Sequence, residues 1–145
     1  MLIHIPVSAG ELIDKITILR VKAHRISAAK KPNVVRELRL LEAILDGALP
    51  PSPELAALAG RLAEVNARLW DIEEGKRACE RRGAFGSDFV DLARSVYIEN
   101  DRRAAIKRQI NKLTGSEIVE EKSYPRDEAA LEPAASKKRR AAKTP

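Results

Sequence analysis

Residues 52–82 read SPELAALAGRLAEVNARLWDIEEGKRACERR, and residues 87–114 read SDFVDLARSVYIENDRRAAIKRQINKLT. In the first stretch apolar side chains recur every three or four residues, which is the spacing that lines one face of an α-helix. The second stretch has this pattern at both ends, but Glu99 and Arg103 stand in the middle, where the stripe should continue. The two stretches therefore predict two long helices that pack through their apolar faces and carry polar groups at mid-height.

The connection between the two helices is only Gly83-Ala84-Phe85-Gly86. We number these two long helices 3 (from residue 52) and 4 (from residue 87). Gly83 is predicted to end helix 3, and Ser87 to cap helix 4. Because short connections join antiparallel neighbours, residues at the same height should have numbers that add to about 170. This register predicts Trp70 beside Asn100, Glu73 beside Tyr97, and Asn66 near Arg103.

Two shorter helices are predicted before this hairpin. The capping box Ser8-Ala9-Gly10-Glu11 begins helix 1, which is predicted to end near Ala28. Asn33 follows Pro32 and is predicted to cap helix 2, which Gly47 should end. We therefore predict an all-α fold, an antiparallel bundle of about four helices with two long central ones.

The ends of the chain differ from the helical part. Residues 3–5 and 116–124 are predicted to be short extended segments that pair with each other. Beyond Pro125, alanine, proline and charge replace the apolar pattern, so residues 125–145 are expected to be a disordered basic tail. With 145 residues, 44% of them hydrophobic, the chain is the size of one domain, and residues 1–124 should form it.

Composition narrows the class of protein. The single cysteine, Cys79, cannot form an internal disulfide, and with His4 and His24 it matches no metal-ligand spacing. No cofactor, secretory signal or bilayer-spanning segment is predicted, and a cytoplasmic protein fits best. The net charge of +6 is concentrated for its length in the tail, so it does not indicate a fold that binds nucleic acid.

A polar cluster at mid-height is the best candidate for a binding site. Its members lie at the border of the two apolar stripes: Asn66, Trp70, Glu73, Tyr97, Asn100, Arg103 and Lys107. Buried and unpaired, each such group would cost about 1–3 kcal/mol, so the cluster must pair internally, reach water or meet a ligand. An internal network that fixes helix register and a ligand pocket are both open.

Local charge pairs are also expected on the helices. Glu99 and Arg103, four residues apart, should satisfy each other, and Glu11 should pair in the same way with Lys15. Asp14 has no obvious partner in the sequence.

Several phrases of the sequence resemble a family of small bacterial proteins classed as a domain of unknown function. They are IPVSAGELIDKITIL at 5–19, VNARLWDIE at 65–73, VYIENDRRAAIK at 96–107 and EEKSY at 120–124. The resemblance covers residues 3 to 124 and implies a bacterial helical protein. It carries no activity and assigns no catalytic residue.

The absence of a phosphate loop, nucleophile triad or metal motif favours a non-catalytic function. We therefore expect a protein-binding or adaptor module with an unknown protein partner, and a homodimer is an option. The alternative is a small protein or enzyme that binds an anionic metabolite at the mid-height cluster, with Arg103 and Lys107 holding the anion. A third hypothesis, weak nucleic-acid binding through Lys137-Lys138-Arg139-Arg140, is less favoured.

Overall fold

A computed structural model describes residues 1–122, which form four α-helices and no β-strand. The helices are α1 (Ala9–Arg25), α2 (Lys31–Ala48), α3 (Pro53–Arg82) and α4 (Ser87–Thr114). The predicted all-α bundle with two long central helices is confirmed. The predicted tail lies outside the described residues.

Capping groups set four of the eight helix ends in residues 1–122. The Ser8 and Ser52 hydroxyl oxygens accept hydrogen bonds from the N–H groups of Glu11 and Leu55, each at 3.1 Å. Gly83 and Gly115 end α3 and α4 with φ of 61° and 64°. Glycine adopts this left-handed conformation without the clash that a Cβ atom causes.

Two other predicted ends are wrong. Helix α1 ends at Arg25 rather than near Ala28, because the following residue, Ile26, is extended with ψ of 154°. Ser87 is the first residue of α4, and the cap is Gly86, which offers no side-chain hydrogen bond.

The prediction for α2 is also wrong at both ends. This helix begins at Lys31, so Asn33 lies inside its first turn instead of capping it. Pro32 fits there because the N–H groups of a first turn have no intrahelical partner. The helix continues through Gly47 and ends at Ala48.

Helix α1 contacts all three other helices, whereas α2 contacts α1 alone among the helices of the described residues. The most extensive contact is between α3 and α4, where Arg61 bonds to Gln109 and Arg68 to Glu99. These pairs confirm the predicted antiparallel hairpin. At 1.5 Å per residue, α1 is about 25 Å long and α3 about 45 Å, so α1 can cover only part of the hairpin.

The apolar core lies where α1 meets this hairpin. Its buried residues are Ile13 of α1, Leu62 and Val65 of α3, and Ile106 and Ile110 of α4. Burial of each such side chain contributes about 1.5–3 kcal/mol, so these three helices hold most of the hydrophobic stabilisation. Cys79 is 2% exposed, as its place in the α3 stripe predicts.

The predicted pairing of the terminal segments is wrong. In the described part of the chain no backbone hydrogen bond joins residues 1–7 to residues 116–122. The segment after α4 instead lies back along its own helix, where Lys122 Nζ is 3.3 Å from Asp101 Oδ1. Charge pairing with α4 thus takes the place of strand pairing.

Candidate functional site

Asp14 lies on the face of α1 that meets the α3–α4 hairpin, and it is 1% exposed. Arg103 of α4 donates to both carboxylate oxygens of Asp14, from Nε at 2.8 Å to Oδ1 and from Nη2 to Oδ2. Asn66 Nδ2 of α3 donates to Asp14 Oδ1 and to Thr17 Oγ1, each at 2.9 Å. One carboxylate therefore joins three helices.

Lys107 lies one turn beyond Arg103 on α4 and is also buried, with 7% of its side chain exposed. Its Nζ is 2.6 Å from Glu11 Oε2 and 2.7 Å from Glu120 Oε2. Glu11 stands one turn before Asp14 on α1, and Glu120 comes from the segment that follows α4. Arg103 and Lys107 are thus both neutralised by acids that lie outside α4.

A close approach of the two backbones permits these contacts. Gly10 N–H donates to Asn111 Oδ1 at 2.7 Å. A Cβ atom at Gly10 would lie 2.7 Å from the carbonyl oxygen of Lys107. Glycine is therefore required at this position if α1 is to reach α4.

We call the set formed by these contacts the α1–α4 polar network. It comprises Gly10, Glu11, Asp14, Thr17, Asn66, Arg103, Lys107, Asn111 and Glu120.

The charges of the network are close to balance, with three carboxylates facing two cations. The hydrogen bond that Arg103 donates to Asp14 raises the pKa of Arg103, although burial acts to lower it. Burial likewise acts to lower the pKa of Lys107, but the hydrogen bonds to Glu11 and Glu120 outweigh it, and the pKa is raised. Both side chains therefore stay charged at neutral pH and are fully used in pairing.

The predicted mid-height cluster divides into two groups. Asn66, Arg103 and Lys107 belong to the network, and Asn100 Oδ1 lies 3.5 Å from Arg103 Nη1 at its edge.

The remaining predicted residues lie apart from it. Trp70 Nε1 donates to Glu74 of its own helix at 2.8 Å, and Glu73 pairs with Lys76 at 3.0 Å. Tyr97 is 50% exposed. Among residues 1–122, no hydrogen bond joins Trp70 or Glu73 to the neighbours on α4 that the register predicted.

The predicted pair of Glu99 with Arg103 is wrong. Glu99 pairs with Arg68 of α3 at 3.1 Å and with Arg102, because Arg103 is bound to the buried Asp14. Asp14, at 1% exposed, is the more deeply buried of the two carboxylates, and charges attract each other more strongly in the interior. Glu99, itself 6% exposed, is satisfied by its two other arginines.

The predicted pair of Glu11 with Lys15 is wrong for a similar reason. Lys15 Nζ lies 2.9 Å from Glu37 of α2, and Glu11 reaches Lys107.

Sequence reasoning missed the centre of this network. The signal that could have found it is the spacing of Gly10, Ile13, Asp14 and Thr17, which puts them on one face of α1. An acid between core positions needs a buried partner. Asp14, which the sequence left without a partner, was therefore the clue.

No buried polar side-chain atom of the network within residues 1–122 lacks a partner. Within the described residues, every buried side-chain nitrogen and oxygen has a hydrogen-bond partner. No group of three or more His, Cys, Asp or Glu side chains in this part of the chain could hold a metal ion. What the arrangement does chemically is fix the positions of α1, α3 and α4.

Residues 3–138 match the model of a family of unknown function, DUF6165. The chain belongs to this family. The match spans all four helices and the whole polar network, and it confirms the resemblance drawn from the sequence motifs. Searches of curated proteins and of solved structures give no match.

Membership of this family, whose function is unknown, assigns no activity to the chain. None of the helices of residues 1–122 is long and apolar enough to span a bilayer. The α1–α4 polar network is buried at Asp14, while its outer groups are partly exposed, with 27% of the Arg103 side chain and 50% of the Glu11 side chain accessible.

Proposed function

We propose that this protein is a non-catalytic protein-binding module that presents the outer face of α2 to an acidic amphipathic helix of a partner protein. The observation that carries the proposal is that this face combines exposed apolar side chains with arginines that have no ion-pair partner among residues 1–122. We further propose a cytoplasmic, bacterial setting, as the sequence motifs imply.

The apolar part of the face is left open because α2 packs only on α1. Leu40 is 46% and Ile44 51% exposed. Val35 and Ala43 line a shallow cleft beside Leu40. An apolar strip of this kind along a helix is the surface that binds the apolar face of another amphipathic helix.

The charged part of the face sets the chemistry of the partner. Arg36 and Arg39 line the same cleft, and among residues 1–122 neither has an ion-pair partner. Two acids of this helix, Glu37 and Glu42, form ion pairs with Lys15 and Arg20 of α1. Guanidinium groups bind carboxylates in a bidentate manner, so a helix with acids beside its apolar stripe complements this face.

The geometry gives less support to the two other functions. An anionic metabolite at Arg103 and Lys107 would have to displace three carboxylates that already neutralise them. The basic tail on which nucleic-acid binding depends lies outside the described residues.

The test uses the full chain and a fluorescent peptide that forms an amphipathic helix with leucines on one face and glutamates beside them. Fluorescence anisotropy should show binding that weakens as salt screens the arginines. Arg39→Glu and Leu40→Asp should each weaken binding at least tenfold, about 1.4 kcal/mol, because interface arginines and buried apolar anchors carry much of the binding energy.

Matched controls separate this face from the rest of the surface. Leu113→Asp replaces a leucine that is 48% exposed on α4, and Arg94→Glu reverses an exposed charge on the same helix. Both variants should bind the peptide as the wild type does. Equal binding by Arg39→Glu and Arg94→Glu would contradict the proposed face, and so would equal binding of a peptide with lysines in place of the glutamates.

A further inference from the structure

Residues 1–7 form an apolar segment that the rest of residues 1–122 leaves largely exposed. Ile3 is 80%, Ile5 71% and Val7 44% exposed. In the described part of the chain, none of the seven residues makes a hydrogen bond or an ion pair. Such a large exposed apolar surface beside a packed bundle is typical of an interaction site.

The same molecule has a largely apolar groove on its surface. It lies between α1, the end of α2 and the start of α3, with a volume of about 420 Å³. Its apolar floor includes Ile16, Leu45, Leu49, Leu55 and Ala56.

We propose that residues 1–7 of one chain lie in this groove of a second copy. Residues 1–7 of the second copy then lie in the groove of the first. An isologous dimer makes both contacts at once about a two-fold axis. The surfaces of this dimer differ from the outer face of α2, so the inference does not depend on the proposed function.

The shape of the segment fits this arrangement. In an extended chain alternate side chains point to opposite sides, so Ile3, Ile5 and Val7 share one side and His4 the other. Pro6 has no N–H group and interrupts a β-ladder. Insertion of one apolar side into a groove is therefore favoured over pairing with a sheet edge.

The size of the contact also fits a dimer. Each chain would contribute its seven-residue segment and the twelve residues that line its groove. Together these approach the roughly 20–30 residues per side of a standard protein interface. The segment carries no acidic or basic side chain other than His4, which suits a largely apolar groove.

Sedimentation velocity of the full chain across the micromolar range tests the inference. The wild type should sediment as a dimer. Ile5→Asp in the segment and Ala56→Asp in the groove should each sediment as a monomer, because either change buries a charge in the interface. His4→Asp, on the other side of the segment, and Ala57→Asp, next to the groove residue but not lining it, should leave the dimer intact.

A mixture gives the sharpest outcome. Ile5→Asp retains a normal groove and Ala56→Asp a normal segment, so an equimolar mixture should form a heterodimer through one of the two contacts. A monomeric wild type, a dimer that Ile5→Asp does not disturb, or a mixture that stays monomeric would each overturn the inference. Circular dichroism should show the same helix content in every variant, since Ile5 and Ala56 are exposed in the single chain.

The experiment is independent of the peptide assay. Ile5→Asp should bind the acidic peptide as the wild type does, and Leu40→Asp should still dimerise. A dimer that Leu40→Asp disrupts and Ile5→Asp does not would place the interface on α2 and overturn the inference.

Discussion

At the scale of single residues, Asp14 decides how three helices fit together. Moving an ion from water into the interior costs several kcal/mol, which only good pairing geometry and further hydrogen bonds can offset. Asp14 has both, since it binds the guanidinium of Arg103 through two oxygens and also accepts from Asn66. A shift of α4 by one residue would break these bonds, so we infer that the network selects the helix register.

The first prediction concerns this carboxylate. Asp14→Ala should lower the free energy of unfolding by about 3 kcal/mol, because it leaves the partly buried Arg103 without its partner. For a domain of this size the melting temperature should fall by on the order of 10 °C. Asp71→Ala is the control, because Asp71 is 61% exposed in its pair with Arg25 and should contribute under about 1 kcal/mol. Equal losses in urea unfolding would refute the central role of Asp14.

A second prediction contrasts two helical glycines. Gly10→Ala should destabilise the protein by about 1–3 kcal/mol, because its Cβ would meet the Lys107 carbonyl oxygen. Gly60→Ala, where a Cβ meets nothing within 4 Å, should stabilise it by about 0.5–1 kcal/mol through lower unfolded-state entropy. Thermal unfolding of both variants measures the signs, and a stabilising Gly10→Ala would show that α1 does not approach α4 closely.

The raised pKa of Lys107 gives a third prediction. A lysine whose pKa is raised by folding stabilises the protein fully below its unfolded pKa of about 10.4, and that stabilisation is lost as the pH rises through the folded pKa. The difference in unfolding free energy between the wild type and Lys107→Met should thus be constant from about pH 7 to 9 and shrink above about pH 10.4. A difference that is already shrinking at neutral pH would contradict the pairing with Glu11 and Glu120.

At the scale of helices, periodicity predicted the elements better than their partners. The α3–α4 hairpin could be predicted from two features. The spacing of the apolar residues identifies α3 as a helix, and the short glycine-containing connection makes the next helix run antiparallel to it. The stripe does not say which helix will cover it, so the position of α2 on α1 alone could not be derived.

Part of the α1–α4 polar network could be predicted from the hairpin. The register of the hairpin placed Asn66 near Arg103, and both bind Asp14. Asp14 comes from α1, and its partner depends on how α1 lies across the hairpin, which no local spacing encodes. Local i,i+4 reasoning therefore paired Arg103 with Glu99, which was wrong.

The fourth prediction follows from the position of α2. This helix buries only Val34 by comparison with seven buried residues in α1, so it should open locally at a lower free energy than the rest of the bundle. Amide hydrogen exchange should be faster in α2 than in residues 62–66 of α3 or 106–110 of α4. Protection of α2 equal to that of the α3–α4 core would mean that its outer face is covered, for example by self-association.

At the scale of the whole molecule, α1, α3 and α4 form a core held by apolar packing and by the α1–α4 polar network, and we propose that α2 recognises the partner. Within residues 1–122 the buried polar side-chain atoms are all paired, whereas the exposed Arg36 and Arg39 of α2 have no ion-pair partner.

The most direct test is to titrate the ¹⁵N-labelled full chain with the acidic amphipathic peptide and follow the backbone amide shifts by NMR. The account predicts that the shifts concentrate on α2 around Arg36, Arg39 and Leu40, and leave Asp14 and Arg103 nearly unchanged. Shifts centred on Asp14, Arg103 and Lys107 instead would show that the network is itself the binding site and would contradict the account.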